Sequence, residues 1–378
     1  MKLLRLVLKN LLRHRGRTLL SIGGVASALA LLVLVESLAL GLERVMSGTE
    51  SARTLVVYRK NRYCPQTSFL PEWYAAEIET LEGVESVLPV KVYLNNCRAS
   101  LDVVAFQGSP VDRLLETRQI EVVDGDLEAF RGQGDAALVG ADFATRKGLR
   151  PGETFRFGDI DVKVSGIFES TEPSEEALIL THLEFLQRAS GVKRLGTVTQ
   201  IEVRVTDASR ARDVAAEIDA RFATAEEPTD TRPRVAFLES ATRDLREILR
   251  FGRWLGLACV VVVLALVANT VFMSASERVK EFGVFRTFGF REVHVAGLVG
   301  GEALVLAVLG ALLGVGGALT VLSTMHLGIG SEGVTVSLTT TPALVLRGFA
   351  VAVGAGTLAG LVPAVQSARS PIVASLRR

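Results

Sequence analysis

Four long apolar runs constrain this chain more than anything else in it: Thr18 to Leu42, Trp254 to Met273, Val295 to Val321 and Leu344 to Pro363. Each approaches or exceeds the ~20 residues that an α-helix needs to cross a hydrocarbon core about 30 Å thick. A polar stretch of ordinary soluble composition separates the first run from the other three. Hydrophobic residues make up 49% of the chain and charged residues 22%, figures that agree only if the composition is segregated along the sequence. The pattern predicts a membrane protein with four transmembrane α-helices in a 1+3 layout and an α+β domain of two lobes outside the membrane.

The expected partition runs as follows. Residues 1–17 form a basic amphipathic helix, and 18–42 a first span that continues outward as a stalk. Residues 43–253 make the outer domain, which ends in a second stalk helix before the span at 254–273. A charged connection at 274–294 leads to the span at 295–321, a short outer connection at 322–343 to the span at 344–363, and 364–378 is the tail.

The flanks orient it. Lys2, Arg5, Lys9, Arg13, Arg15 and Arg17 precede the first span without an acid among them. Arg278, Lys280, Arg286 and Arg291 lie between the second and third, and Arg369, Arg377 and Arg378 follow the fourth. The connection from Leu322 to Ala343 has neither Lys nor Arg. Positive flanks stay in the cytoplasm, so both termini and 274–294 are expected there and the large domain outside. The basic lead and long apolar run exceed a cleaved signal peptide, so a retained signal anchor is expected. With a net charge of +1, nothing recommends nucleic acid as a partner, and the basic stripe of Lys2, Arg5, Lys9 and Arg13 suits the lipid bilayer surface instead. Glu36 reads as the point where the first helix emerges into water.

Within the outer domain, strands are expected at Arg53 to Arg59, Val84 to Tyr93, Ser100 to Gln107, Ala137 to Gly140, Thr154 to Phe157, Ile160 to Phe168, Leu178 to Leu180 and Thr197 to Val205. Pro71 is expected to open a helix through Thr80, and Asp142 to Gly148 to be a helical turn ended by its glycine. In Ser209 to Phe222, Val214, Ile218 and Phe222 share one helical face. Thr224 to Pro233, rich in Glu, Thr and Pro, reads as an exposed loop. Beyond it, Leu238, Ala241, Leu245, Ile248 and Leu249 line one side of the second stalk. The order suggests one split lobe carrying a second, β-rich lobe. Cys64 and Cys97 face an oxidising compartment and are candidates for a disulfide, with two unpaired core thiols as the alternative. Cys259 falls within a span.

Conventional catalytic patterns are missing. There is no G-x-x-x-x-G-K-[ST], no H-E-x-x-H and no G-x-S-x-G, and His14, His182, His294 and His326 have no metal-ligand spacing. No catalytic residue, metal or cofactor is therefore expected in this chain. The informative segment is Ser276 to Phe290, charged in both signs, with Phe282, Phe285 and Phe288 at three-residue intervals. A helix with apolar knobs and a charged rim is built to dock in a partner's groove. On that reading Phe282→Asp should leave the chain folded while removing the docking knob. Gly297/Gly301, Gly310/Gly314 and Gly356/Gly360 are spaced by four, which lets helix backbones approach closely in lipid. Glu302 lies about two turns into the third span, a position more easily read as structural than functional.

Four motifs then appear in order. Asn269-Thr270 with Glu277 to Gly289 resembles the "NT…ER-x-x-EIG-x-x-RA-x-G" signature of ABC transporter permeases of the FtsX/MacB/LolC–LolE type. Glu302-Ala303 with Gly310 and Gly314 resembles their third-helix pattern, and Gly360 to Ala364 with Pro371 to Arg377 their ending. Ala137 to Gly140, Gly148 to Glu153 and Val164 to Phe168 resemble their periplasmic core. The resemblance implies a permease in a bacterial cytoplasmic membrane, paired with a copy or paralogue of itself and served by a separate ATP-binding subunit holding ATP and Mg. Glu277, Arg278, Glu281, Phe282, Gly283, Phe285, Arg286, Phe288 and Gly289 would form the coupling helix seated on that subunit. The outer domain, moved through the stalks, would export or extract a lipid-like, lipoprotein or peptide cargo, with a periplasmic adaptor as a further partner. Two rivals stand beside this: an FtsX-like regulator that activates a periplasmic partner without transport, and a membrane-anchored sensor without an ATPase.

Overall fold

The structure is a computed structural model. It describes residues 7, 10, 13, 15–46, 53–62, 67–94, 104–191, 194–325, 328–331 and 334–369. The elements begin with α1 (Arg15–Met46), β1 (Thr54–Arg59), β2 (Leu70–Pro71), α2 (Tyr74–Ile78), β3 (Val84–Leu94), β4 (Ala105–Ser109), α3 (Val111–Thr117), β5 (Ile120–Gly125) and α4 (Leu127–Gly132). Next come β6 (Ala136–Gly140), α5 (Ala141–Lys147), β7 (Thr154–Phe157), β8 (Ile160–Ser170), β9 (Ile179–His182), α6 (Leu183–Ala189), β10 (Thr197–Val198), β11 (Gln200–Val205), α7 (Ala211–Arg221) and β12 (Thr229–Pro233). The chain finishes with α8 (Arg234–Ala241), α9 (Arg243–Glu277), α10 (Val279–Thr287), α11 (Glu292–Met325), β13 (Gly328–Ser331), β14 (Val334–Ser337) and α12 (Pro342–Ala368).

Two compact units result, one of residues 1–39, 247–324 and 339–378, the other of 40–246 and 325–338. The first holds the long helices. Among the described residues, α1, α9, α11 and α12 are long and apolar enough to cross a membrane. With 32 and 35 residues, α1 and α9 each outrun the expected spans. At 1.5 Å per residue they are about 50 Å long, well beyond the hydrocarbon thickness. Small residues set the helix contacts. A Cβ on Gly310 would lie 2.5 Å from Val25, and one on Gly314 2.3 Å from the Ala26 carbonyl oxygen, so α1 and α11 touch backbone to backbone. Gly356 and Gly360 do the same for α12 against Ala307 and Ala303 of α11, at 2.6 and 2.8 Å. Gly297 and Gly301 differ: Gly297 has open space around it, and Gly301 meets Val7 at an ordinary 3.6 Å. Among the described residues neither of these two glycines meets a neighbouring backbone, whereas Gly300 between them lies 3.3 Å from where a Cβ on Gly360 would sit.

The second unit is α+β. Its sheet of ten strands runs β12-β1-β11-β3-β4-β9-β6-β8-β5, with β7 paired to β8. The four strands β12, β1, β11 and β3 are mutually antiparallel and are covered by α2 and α7. In order of appearance these are the strands of a βαββαβ lobe, spatially 4-1-3-2, opened after its second strand to admit the other lobe. Val214, Ile218 and Phe222 of the α7 face are buried there beside Leu55, Ile201 and Tyr74, and Phe222 stacks on Tyr74 at 4.0 Å. The joint is β3: it leaves β11 and takes up β4 just after Pro89, where a missing N–H is tolerated because the strand is changing partners. The inserted lobe has a core on each sheet face, one around Phe130, Phe168 and Leu88, the other around Phe106, Phe143 and Val162.

Several expectations are corrected here. Pro71 opens no helix: it pairs in β2 with Thr197 of β10, and the helix starts at Tyr74. The stretch Thr224 to Pro233 is not all loop, since its second half is β12 on β1. The pairing of so polar a strand is secured by Asp219 of α7, which accepts from Thr229 Oγ1 (2.8 Å), Thr231 Oγ1 (2.7 Å) and the Thr231 amide (3.0 Å). The second stalk is interrupted at Thr242, whose hydroxyl donates to the Leu238 carbonyl at 2.6 Å. Such a back-bond competes with the helix's own ladder and bends it. On its face Leu238, Leu245 and Leu249 are buried, but Ile248 is 60% exposed. The connection 322–343 contains the hairpin β13–β14, and Ser337 Oγ donates to Asp142 at 2.8 Å within the outer unit. Cys64, Cys97, most of the amphipathic segment 1–14 and the ending from Pro371 lie outside the described residues.

Candidate functional site

The segment 276–290 centres on a short helix with an anchored underside and a free top. The second span does not stop at Met273 but carries its helix through Glu277, so the segment's own helix is α10. Arg278 makes the corner: its φ of −114° and ψ of 15° break the helix, while its amide still donates to Ala275 O at 3.1 Å. Gly289 closes the other end at φ 89°. There the Phe290 amide reaches Phe285 O at 3.1 Å and the Gly289 amide reaches Arg286 O at 3.1 Å, the paired bonds of a Schellman C-cap. A side chain at that left-handed position would be strained, which explains the glycine.

Beneath α10 sits a buried ion pair. Arg278 Nη1 donates to Glu302 Oε1 at 2.7 Å, and both side chains are almost fully buried. Glu302 accepts further from Asn10 Nδ2 (3.0 Å) and Ser274 Oγ (3.2 Å), so both its oxygens are satisfied. Arg278 Nε donates to Glu281 Oε2 at 2.8 Å, and its guanidinium lies 5.2 Å over the Phe282 ring. The hydrogen bond from Arg278 holds the Glu281 carboxyl below the usual carboxylate range, with burial opposing and Arg13 assisting. Arg13 pairs with Glu281 and Arg17 with Glu277, each at 3.3 Å, which ties the start of α1 to the same corner. At the far end, Arg286 pairs with Glu292 at 2.9 Å, and Phe285, Phe290 and His294 form an aromatic row.

The structure divides the phenylalanines differently from the sequence reading. Phe282 is buried at 3% exposure and Gly283 beside it is buried too, so Phe282 is an anchor rather than a docking knob. The three-residue interval rotates about 300°, and only Phe288, at 79%, lands on the open side. Val284 is open as well, the exposed Lys280 and Thr287 share that side, and Arg291, beyond the cap, is exposed too. Val284 went unnoticed in the sequence because the aromatic pattern was louder than the i, i+4 relation between Val284 and Phe288.

Family models match in two blocks. The MacB-like periplasmic core domain covers residues 18–221, and the FtsX-like permease C-terminal region covers 254–372. The chain belongs to the FtsX/MacB-type family of ABC permeases. Solved structures similar to it include the extracellular domain of the noncanonic ABC-type transporter YknZ from Gram-positive bacteria, 14% identical, covering 47% of this chain and 99% of that one with a TM-score of 0.35. The periplasmic region of MacB from Actinobacillus actinomycetemcomitans is 10% identical and covers 51% of this chain and 92% of that one, with a TM-score of 0.36. No curated protein sequence matches the chain. As a member of this family the chain is a transmembrane permease subunit with an extracytoplasmic domain, and the family works with an ATPase partner.

The permease holds a second buried charge cluster, which sequence reasoning missed altogether. In the outer domain, Arg118 donates to Gln107 (2.7 Å) and Glu202 (3.2 Å) and lies 3.5 Å from Glu175; Arg234 lies 3.6 Å from Glu175 and 3.9 Å from Glu202. Burial pushes the Glu202 carboxyl up, but Arg118 and Arg234 outweigh it and hold it below the ordinary range. Burial also raises Glu172, against the pull of Arg234. These residues come from α3's end, the β8–β9 connection, β11 and the start of α8, so the cluster joins the two lobes. Their separations in sequence carry no periodic signal that could have announced it. Among the described residues no group of His, Cys, Asp or Glu could hold a metal.

Proposed function

We propose that this chain is the non-catalytic membrane subunit of an ATP-driven machine, seated by the open face of α10 on a separate ATP-binding subunit in the cytoplasm of a bacterium. The observation that carries the reading is the two-sided build of α10. Its underside is pinned to α11 by Arg278–Glu302, while Lys280, Val284, Phe288 and Arg291 stand free. An apolar pair flanked by cations suits a groove with acidic edges. A push on α10 would reach α11 and α9 without slack, because the corner is hydrogen-bonded on every side. The boundary between the units falls inside α1 and α9, two helices that do not break there. A helical crossing favours transmission of movement to the outer domain, where a flexible linker would dissipate it. The work done there is export or extraction of a lipid-like, lipoprotein or peptide cargo, by a dimer of this permease with a copy or a paralogue. The basic flanks of α1 and α10 support the cytoplasmic placement of α10.

The test is co-purification of the ATP-binding subunit with the intact chain, Val284→Asp and Phe288→Asp. Both variants should remain inserted and folded yet lose the subunit and the ATPase activity that depends on it. Retention of the subunit by both would refute the seat.

A further inference from the structure

In the outer sheet β4 and β9 are adjacent and parallel, with Ser109 opposite His182 in register. Each strand runs into a helix, β4 into α3 and β9 into α6. The two helices leave for opposite faces: Leu114 of α3 packs in the core around Phe130, whereas Leu186 of α6 packs in the core around Phe143. Neighbouring parallel strands whose following helices part in this way leave a crevice beyond the strand ends, the place where open α/β sheets bind ligands. A cavity of about 480 Å³ lies at this point, bounded by residues 109–111, residues 182–185 and Glu72. Its size falls within the range of about 300–1,000 Å³ found for small-molecule sites.

The groups gathered there are mostly acceptors. Ser109 is 1% exposed, and among the described residues its Oγ has no hydrogen-bond partner. His182 Nε2 lies 2.6 Å from the Phe130 carbonyl oxygen; because that oxygen can only accept, Nε2 donates, which leaves Nδ1 as the nitrogen able to accept. Glu72 brings a carboxylate, oriented by the side-chain amide of the buried Gln187 at 2.9 Å. Glu184 and Arg188 pair with each other at 3.2 Å on the exposed rim and cancel in charge. That leaves one net negative charge from Glu72, two neutral acceptors, and apolar walls from Pro110, Val111 and Phe185.

We propose that this cleft binds a primary ammonium carried on a short apolar segment, with Glu72 as its counter-charge and Ser109 and His182 as further acceptors. The ammonium has two sources, a small free amine or the amino end of a polypeptide. Calorimetric titration of the full-length chain in lipid nanodiscs separates them, using n-hexylamine, the dipeptide amide of leucine and phenylalanine, its N-acetylated form, and hexanoate. At least one of the two amines should bind, acetylation should remove binding of the dipeptide, and hexanoate should not bind. Binding of hexylamine as tight as the dipeptide identifies a small amine as sufficient; binding of the dipeptide alone identifies a polypeptide end. Glu72→Gln keeps the acceptor for Gln187 but removes the charge, and should weaken binding at least tenfold with an unchanged unfolding temperature. Val111→Trp, at a half-buried wall position, should fill the cleft and abolish binding. The proposal is overturned if neither amine binds, if hexanoate or the acetylated dipeptide binds as well as the free amine, or if both variants bind like the original chain.

Discussion

Removing one member of the Arg278–Glu302 pair should cost far more than removing both. In Arg278→Met, Glu302 loses its 2.7 Å partner and keeps only the neutral donors Asn10 and Ser274. A buried charge stripped of its partner costs roughly 3–5 kcal/mol. In Glu302→Gln, Arg278 still has Glu281 at 2.8 Å, and the amide oxygen still accepts, so the loss is nearer the ~1.5–3 kcal/mol of a hydrogen bond to a charged group. In the double variant Arg278→Met/Glu302→Gln no charge is left behind, and neutral replacement of a buried pair with little change of volume costs little, within about 1.5 kcal/mol. The order expected is therefore Arg278→Met worst, Glu302→Gln intermediate, and the double variant near the original, with a coupling free energy of at least about 3 kcal/mol. The chain has two tryptophans, so Trp73→Phe leaves Trp254 in α9 as the reporter. Unfolding in mixed micelles of rising SDS fraction, followed by its fluorescence, measures all four corners of the cycle. Additive single losses, with the double variant as poor as their sum, would show that the two charges do not need each other and would refute the pinning of α10.

Phe282→Asp, expected from the sequence to leave the chain folded while removing a docking knob, should instead destabilise the chain by about 3–5 kcal/mol or more, the range for emptying a buried Phe site, whereas Phe288→Asp should leave SDS unfolding unchanged. Gly314→Ala should separate α1 from α11 and cost about 1–3 kcal/mol in the same assay, because its Cβ would sit 2.3 Å from a carbonyl oxygen; Gly316→Ala, in open space, should cost nothing. Lys91, 1% exposed, has its ammonium pushed down to about 8 by burial and then by Arg194. An unfolded lysine titrates near 10.4, so between these two values the unfolded chain binds more protons and stability rises with pH. Thermal unfolding of the intact chain should therefore shift upward from pH 8 to pH 10 relative to Lys91→Met, which lacks that rise; parallel curves would contradict it. Asp219→Ala should release β12 from its threonine contacts and appear as faster amide exchange at residues 229–233, with the α11–α12 contacts unaffected.

Local periodicity carried most of the fold into view. The four spans needed only length and hydropathy, and β7, β8 and the α7 face needed only alternation or a 3.6-residue repeat. What escaped were elements whose reasons lie elsewhere in the chain. The strand Thr229–Pro233 is polar and contains proline, so nothing local recommends it; it is a strand because Asp219, ten and twelve residues earlier, receives its threonines. Pro71 looked like a helix start because proline suits that position, yet pairing with Thr197 outweighed the preference. The hairpin β13–β14 lay in a connection read only as a short outer loop, and its pairing, from Gly328 with Ser337 to Ser331 with Val334, is a relation between two strands rather than within either.

The same distinction explains the site. That residues 276–290 matter was legible from charge and aromatic content. Which side faces out was not, because the answer depends on Glu302, twenty-four residues from Arg278, and on Asn10, two hundred and ninety-two residues from Glu302. Once Arg278 is committed to Glu302, the first turn of α10 can rotate no further, and Phe282, one turn on, must go under the guanidinium. Helical geometry then leaves Val284 and Phe288, four residues apart, on the opposite side. Moving the acid one position along α11, by Glu302→Ala with Ala303→Glu, should therefore turn α10 or unseat it. If cysteine labelling at Val284 and Phe288 were as fast in that variant as in the original, with the ATP-binding subunit still held, then the pair would not be what sets the docking face.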